Sequence, residues 1–258
     1  MHPWTIMRSP GPLIATAIHA GHQVRPSLLP HLALPADERL REEDPHTNEF
    51  LFAGDTRIDV AVSRFEVDLN RPRESAVYTG PDCAWGLDVW REPLSASEHS
   101  ASLALYDRFY ADLGGVIEER VAAHGQAVVL DLHSYNHRRD GPTAPPADPA
   151  ANPVLNVGTK AADRERWGGV IDQFLHDVCR GSVAGSPLDA RENVKFGGGH
   201  MSRWIASRFG ADVLVLCLEF KKVFMDEWTG ALHRDRLDEL RRAVGRATTK
   251  LRATINGT

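Results

Sequence analysis

The sequence predicts an α/β fold, a central sheet flanked by helices. Three short apolar runs, Leu13–Ile18, Ala127–Leu132 and Val213–Phe220, read as buried strands. Helical stretches separate them, and polar residues stand at the strand ends. The 258-residue length accommodates one large α/β domain, and 42% hydrophobic with 25% charged residues suffices for a substantial core. Neither a repeat nor a dividing linker is visible, so 1–258 is read as a single domain.

Leu13–Ile18 is the first strand. Prolines at 26, 30 and 35 follow, then a charged stretch of helical composition, Ala36–Glu43, broken by Asp44-Pro45-His46-Thr47. Arg57–Phe65 alternates apolar and polar residues as a strand does, and leads into the polar segment Glu66–Arg73. Leu103, Tyr106, Phe109, Tyr110, Leu113 and Ile117 recur at helical spacing within an amphipathic helix over 99–124. Ala127–Leu132 is the second clear strand. The stretch Asp140–Asn156, rich in proline, alanine and aspartate, is too long for an ordinary connection and reads as either a functional lid or a disordered segment. A helix over 161–180, a glycine segment at 197–199, the strand Val213–Phe220 and a charged helix over 233–254 complete the chain.

Composition excludes several roles. A formal net charge of −5 gives no support for nucleic-acid binding. No apolar run approaches the roughly 18 residues that span a bilayer, and Met1–Pro12 is a poor signal peptide, with three prolines and no long apolar stretch. Cys83, Cys179 and Cys217 are sparse and odd in number, which argues against a disulfide framework and fits the cytoplasm.

The chemistry gathers where strands end. Ile-His-Ala-Gly-His at 18–22 and Leu-Asp-Leu-His at 130–133 each bring histidine to the end of an apolar strand, where open α/β sheets collect their ligands. His19, His22 and His133 are therefore candidate ligands of one metal ion, Zn2+, which takes neutral imidazoles and in catalytic sites leaves one position open. Glu43, Asp44, His46 and Glu49 stand as alternatives to His22. Asp131 is expected on the strand face opposite His133, orienting a neighbouring ligand. Glu219 ends the third strand; it is either salt-bridged to Lys221, Lys222 or a nearby arginine, or a general base beside the metal. Arg64, Asn70, Arg71 and Arg73 are interleaved with apolar residues, so some must turn inward, and their forked donors suit a substrate carboxylate. Gly197–Gly199 with His200 and Arg203 forms either a second substrate loop or an ordinary flexible one. Together these residues read as a metal-dependent hydrolase.

Six segments resemble the N-formylglutamate amidohydrolase family: Ile-His-Ala-Gly-His at 18–22, Arg-Leu-Arg-Glu-Glu-Asp-Pro at 39–45, Phe-Glu-Val-Asp-Leu-Asn-Arg-Pro-Arg-Glu at 65–74, Leu-Asp-Leu-His-Ser-Tyr-Asn-His-Arg-Arg-Asp-Gly at 130–141, Glu-Asn-Val-Lys-Phe-Gly-Gly-Gly-His at 192–200 and Glu-Phe-Lys-Lys-Val-Phe-Met-Asp-Glu-Trp-Thr-Gly at 219–230. That family is distantly similar to zinc carboxypeptidases and to aspartoacylase and succinylglutamate desuccinylase. The resemblance implies a single-domain three-layer αβα fold with a mixed central sheet, similar to the zinc carboxypeptidases. It implies that His133 is the later histidine ligand, that Glu219 is the catalytic carboxylate, that Arg64 faces the scissile carbonyl, and that Asn70 and Arg71 hold a substrate carboxylate. Either Arg73 or Arg203 is expected to supply a second carboxylate contact. One departure stands out: the carboxypeptidase-like relatives use His-x-x-Glu, and this chain has His19-x-x-His22.

The expectation is a zinc-dependent amidohydrolase of amino-acid metabolism, acting on a small-molecule N-acyl amino acid, nominally N-formyl-L-glutamate. It would need neither nucleic acid nor membrane, and its oligomeric state is left open. The alternatives are a peptidase or deacylase acting on a larger acyl-amino acid or peptide, and a non-catalytic binder of an anionic amino acid.

Overall fold

The fold is that of a computed structural model in which residues 2–256 are described; Met1, Gly257 and Thr258, at the ends of the 1–258 expectation, lie outside the described residues. Seven strands form one mixed sheet in the order β1-β3-β2-β4-β9-β5-β8. These are β1 (Trp4–Met7), β2 (Leu13–Ala17), β3 (Thr56–Val60), β4 (Ala127–Tyr135), β5 (Leu155–Gly158), β8 (Ala190–Glu192) and β9 (Val213–Lys221). A two-stranded hairpin, β6 (Ser182–Val183) with β7 (Ser186–Pro187), stands beside them. The centre β3-β2-β4-β9 is parallel; β1 pairs antiparallel with β3, and β5 antiparallel with β9. The helices are α1 (Ala36–Glu42), α2 (Ala96–His124), α3 (Arg164–Cys179), α4 (His200–Phe209) and α5 (Arg234–Asn256). None of the described helices is long and apolar enough to cross a membrane.

Residue alternation in the central strands builds two cores. Successive side chains of a strand point to opposite faces. On β9, Leu214, Leu216, Leu218 and Phe220 join one core while Val213, Val215 and Cys217 join the other. Trp167, Ile171, Phe174 and Val178 of α3 and Leu237, Leu240, Val244 and Leu251 of α5 cover the first face, each set at helical spacing. Tyr106, Phe109, Leu113, Val116 and Ile117 of α2, with Met201 and Ile205 of α4, cover the second. Because both faces are covered, β4 and β9 read as continuous apolar runs, which is why they were visible in the sequence.

Helix ends follow their caps. The Ser95 side chain accepts from Glu98 N at the start of α2, and Gly125 (φ 73°) closes it; Asp163 accepts from Glu165 N and Arg166 N at the start of α3. The expected strand over Arg57–Phe65 stops at Val60, because the chain turns at Ser63, whose carbonyl accepts from Glu66 N. Strand β1 and helix α4 were not expected, and Leu155 and Asn156, assigned to a loop, begin β5.

Between β2 and the following loop, Gly21 lies against the backbone after β3: a Cβ there would sit 2.2 Å from the Ala61 carbonyl carbon. No flexible side chain is available to yield. Gly21→Ala should therefore destabilise the protein by about 1–3 kcal/mol, the usual cost of overpacking. Urea denaturation will read this as a lowered midpoint, and an unchanged midpoint would show that the close approach is not needed.

Candidate metal and active site

Three side chains converge above the carboxyl ends of β2 and β4. His19 follows β2, His133 lies near the end of β4, and Asp44 follows α1. The Asp44 backbone N–H donates to the His19 carbonyl at 2.9 Å, which joins the two ligand-bearing segments. Asp44 Oδ2 lies 2.9 Å from His133 Nδ1 and 3.5 Å from His19 Nδ1. All three residues are buried, and each offers a ligand atom within 4.8 Å of the others; among the described residues no other such group occurs.

The outer partners of the two histidines explain why both present Nδ1. His19 Nε2 donates to Asp68 Oδ1 at 2.8 Å, and His133 Nε2 faces Asp131 Oδ1 at 3.0 Å. A carboxylate can only accept, so each Nε2 carries a proton; each Nδ1 faces the Asp44 carboxylate, and an ion bound among the three would take the place of the Nδ1 protons. Such carboxylate–histidine pairs accompany bound metals and fix the ring orientation. Burial opposes the charge on Asp44, but hydrogen bonds from His133 and His19 outweigh it and hold the carboxyl well below its usual range. Two imidazole nitrogens and an anionic oxygen, ringed by the buried carboxylates Asp68 and Asp131, suit a divalent cation with an open position.

Two expectations need correction here. Asp131 is on the same strand face as His133, as residues two apart on a strand must be, and it pairs with His133 itself. His22 is not brought to the converging group. Its Nδ1 lies 2.5 Å from Glu43 Oε2 and its Nε2 3.3 Å from Arg39 Nη2, because the turn after His19 carries it away. Asp44, one of the carboxylates held in reserve for this position, stands in its place.

A cavity of about 390 Å³ opens onto this group, lined by His19, Asp44 and His133 together with Arg64, Asn70 and Glu219. Glu219 on β9 is the register partner of His133 on β4, so sheet pairing alone sets the two side by side. Burial pushes the Glu219 carboxyl up to about 7; His133 opposes this, and Asp44 and Asp131 add to it. Its side chain is therefore neither bound in the Lys221 or Lys222 salt bridge considered from sequence nor free in water. Lys221 Nζ donates to Asn152 O and Lys222 Nζ to Arg41 O and Glu43 O.

Asn70 is placed by a close approach. Its Oδ1 accepts from Met201 N at the start of α4, and a Cβ on Gly199 would lie 2.2 Å from that oxygen. The glycine segment thus admits the Asn70 amide to the cavity wall. Arg64 donates through Nη2 to Asp68 at 2.8 Å. Arg71 packs 4.8 Å over the Tyr78 ring, 3.4 Å from Asp68 and just outside the cavity lining. Arg73 is exposed and paired with Asp107, and Arg203 reaches only Gly198 O at 3.4 Å; neither lines the cavity. Sequence reading did not single out Trp85, Tyr135, Arg139 and Lys195 in the cavity wall, although Tyr135 and Arg139 fall in the 130–141 segment and Lys195 in the 192–200 segment. Trp85 is half-exposed, has a positive φ of 55° and lies 4.7 Å from the Arg64 guanidinium.

Comparisons with known proteins agree with this architecture. The family model described as N-formylglutamate amidohydrolase matches residues 11–225. A crystal structure of N-formylglutamate amidohydrolase from Ralstonia eutropha JMP134 superposes with a TM-score of 0.80 at 16% identity, covering 100% of this chain and 99% of that one. The gene product Atu2144 from Agrobacterium tumefaciens gives 0.68 at 20% identity over 96% and 95% of the two chains. A metallo-carboxypeptidase from Burkholderia cenocepacia gives 0.43 at 14% identity, over 97% of this chain and 61% of its own. No curated protein matches the sequence.

Asp68 is fully buried and joins His19 to Arg64 and Tyr78. Truncating one partner of a buried ionic network strands the others, at a cost of about 3–5 kcal/mol. Asp68→Ala should lose stability of that order in urea or thermal unfolding. A loss within the range of an exposed ion pair, below about 1 kcal/mol, would contradict the network's importance.

Proposed function

Because the chain belongs to the N-formylglutamate amidohydrolase family, we propose that it is a zinc-dependent amidohydrolase that cleaves the acyl-amide bond of an N-acyl amino acid, nominally N-formyl-L-glutamate to formate and L-glutamate. The observation that carries the reading is the convergence of His19, Asp44 and His133 in one cavity with Glu219 and Arg64. We take the whole chain as one catalytic domain, acting on a small molecule in the cytoplasm, in keeping with its three unpaired cysteines.

His19 Nδ1, His133 Nδ1 and an Asp44 oxygen would hold the ion. Bound there, zinc supplies Lewis-acid polarisation of the acyl carbonyl and lowers the pKa of water. Glu219 takes the proton of the attacking water, its place beside the ion set by its register pairing with His133. It then returns that proton to the departing amine nitrogen. Arg64, part-buried and held by Asp68, presents positive charge where negative charge develops on the acyl oxygen. Asn70 and Arg71 orient the carboxylate beside the amide, the asparagine from the cavity wall and the arginine from behind Trp85.

Formate release from N-formyl-L-glutamate, assayed beside acetyl- and succinyl-glutamate and short peptides, tests the reaction. A flat profile across these substrates would overturn the formyl assignment. Glu219→Gln should lower kcat by about 100- to 10,000-fold, the usual contribution of a general base, with metal content unchanged; loss of metal alongside activity would make Glu219 a ligand instead. For the ligand set, Asp44→Ala should abolish stoichiometric zinc in elemental analysis while His22→Ala retains it. The reverse pattern would restore His22 as the second ligand.

A further inference from the structure

Four cations line the active-site cavity, and three are already answered by the protein. Arg64 is bound to Asp68 at 2.8 Å and Arg139 to Glu42 at 3.3 Å, and the buried Lys222 ammonium donates to the carbonyls of Arg41 and Glu43. Lys195 differs. Among the described residues its ammonium has neither a hydrogen-bond acceptor nor a carboxylate partner; it lies 5.4 Å over the Tyr135 ring and 5.6 Å from the Phe196 ring. Those rings meet edge to face, 5.5 Å apart. Aromatic faces attract a cation without neutralising it, so its charge stays available to an anion.

The backbone beneath Lys195 is fixed. Asn156 of β5 is fully buried; its Oδ1 accepts from Lys195 N at 2.8 Å and Phe196 N at 3.3 Å, and its Nδ2 donates to Phe196 O at 2.8 Å. Asn156 is also the register partner of Glu219 across β5 and β9. One strand pair therefore sets both the proposed base and the loop that carries the unanswered cation. The same loop runs on through Gly197 and Gly198 to Gly199, against Asn70.

We propose that Lys195 is the binding site for a second anionic group of the substrate, the side-chain carboxylate of an acidic amino acid, and so makes the enzyme selective for dianionic N-acyl amino acids. This rests on the amidohydrolase reading above, in which Asn70 and Arg71 take the first carboxylate. A charged hydrogen bond of this kind is worth roughly a tenfold or greater change in affinity.

The test compares the dianion N-formyl-L-glutamate with its monoanionic isostere N-formyl-L-glutamine, whose side chain is uncharged, using the zinc-supplied wild type, Lys195→Met and Lys195→Arg. The wild type should favour the acid. In Lys195→Met, KM for the acid should rise about tenfold or more, with kcat and all constants for the glutamine substrate little changed; Lys195→Arg should recover part of the loss. Undiminished preference in Lys195→Met, or no preference in the wild type, would overturn the proposal. Calorimetric titration with L-glutamate and L-glutamine separates this from failure of the catalytic reading. If the wild type hydrolyses neither substrate, the amidohydrolase reading fails, while a glutamate preference in binding that vanishes in Lys195→Met still supports the Lys195 site. A binding preference that survives the substitution, or absence of glutamate binding, overturns it.

Discussion

The buried carboxylate of Asp68 is the interaction on which the rest of the site depends. It accepts from His19 Nε2, Arg64 Nη2, Tyr78 Oη and its neighbour's backbone at Asn70 N, with Arg71 Nε at 3.4 Å. Burial works against its charge, but Arg64, His19 and Tyr78 hold the carboxyl well below the usual carboxylate range. One anion thereby orients the His19 ring and sets the posture of two arginines. The metal side and the substrate side of the cavity cannot shift independently, because they share this group.

Sheet pairing supplies the second constraint. His133, Glu219 and Asn156 occupy one register row across β4, β9 and β5. Their alignment needs no loop to adjust; it follows from backbone hydrogen bonding once the strands are in register. A slip of one residue would send each side chain to the opposite face, and the alternating apolar residues of the two cores forbid that slip. The residues that maintain the core thus also hold the row of His133, Glu219 and Asn156 in place.

What the sequence made legible follows from the same physics. Strands covered on both faces are continuous apolar runs, so β2, β4 and β9 stood out, and with them His19, His133 and Glu219 at their ends. Edge strands are short and only part-covered, and β1 carried no such signal. Asp44 was one acid among several near a helix end; its selection depends on the backbone bond from Asp44 N to His19 O, which no local pattern encodes. His22 illustrates the converse: spacing three from His19 suggested a shared ion, but the turn geometry and Glu43 direct its ring elsewhere. Lys195 and Trp85 were illegible because long-range packing alone brings them to the cavity. Asp131 needed only the period-two rule, and its face was misassigned.

The metal centre is most directly tested by anomalous X-ray diffraction at the zinc edge, on crystals of the zinc-supplied protein. The account predicts one strong anomalous peak bonded to Nδ1 of His19, Nδ1 of His133 and a carboxylate oxygen of Asp44, with both Nε2 atoms still on Asp68 and Asp131. A peak coordinated by His22, or by Nε2 of either buried histidine, would contradict it, as would crystals with no peak in the cavity.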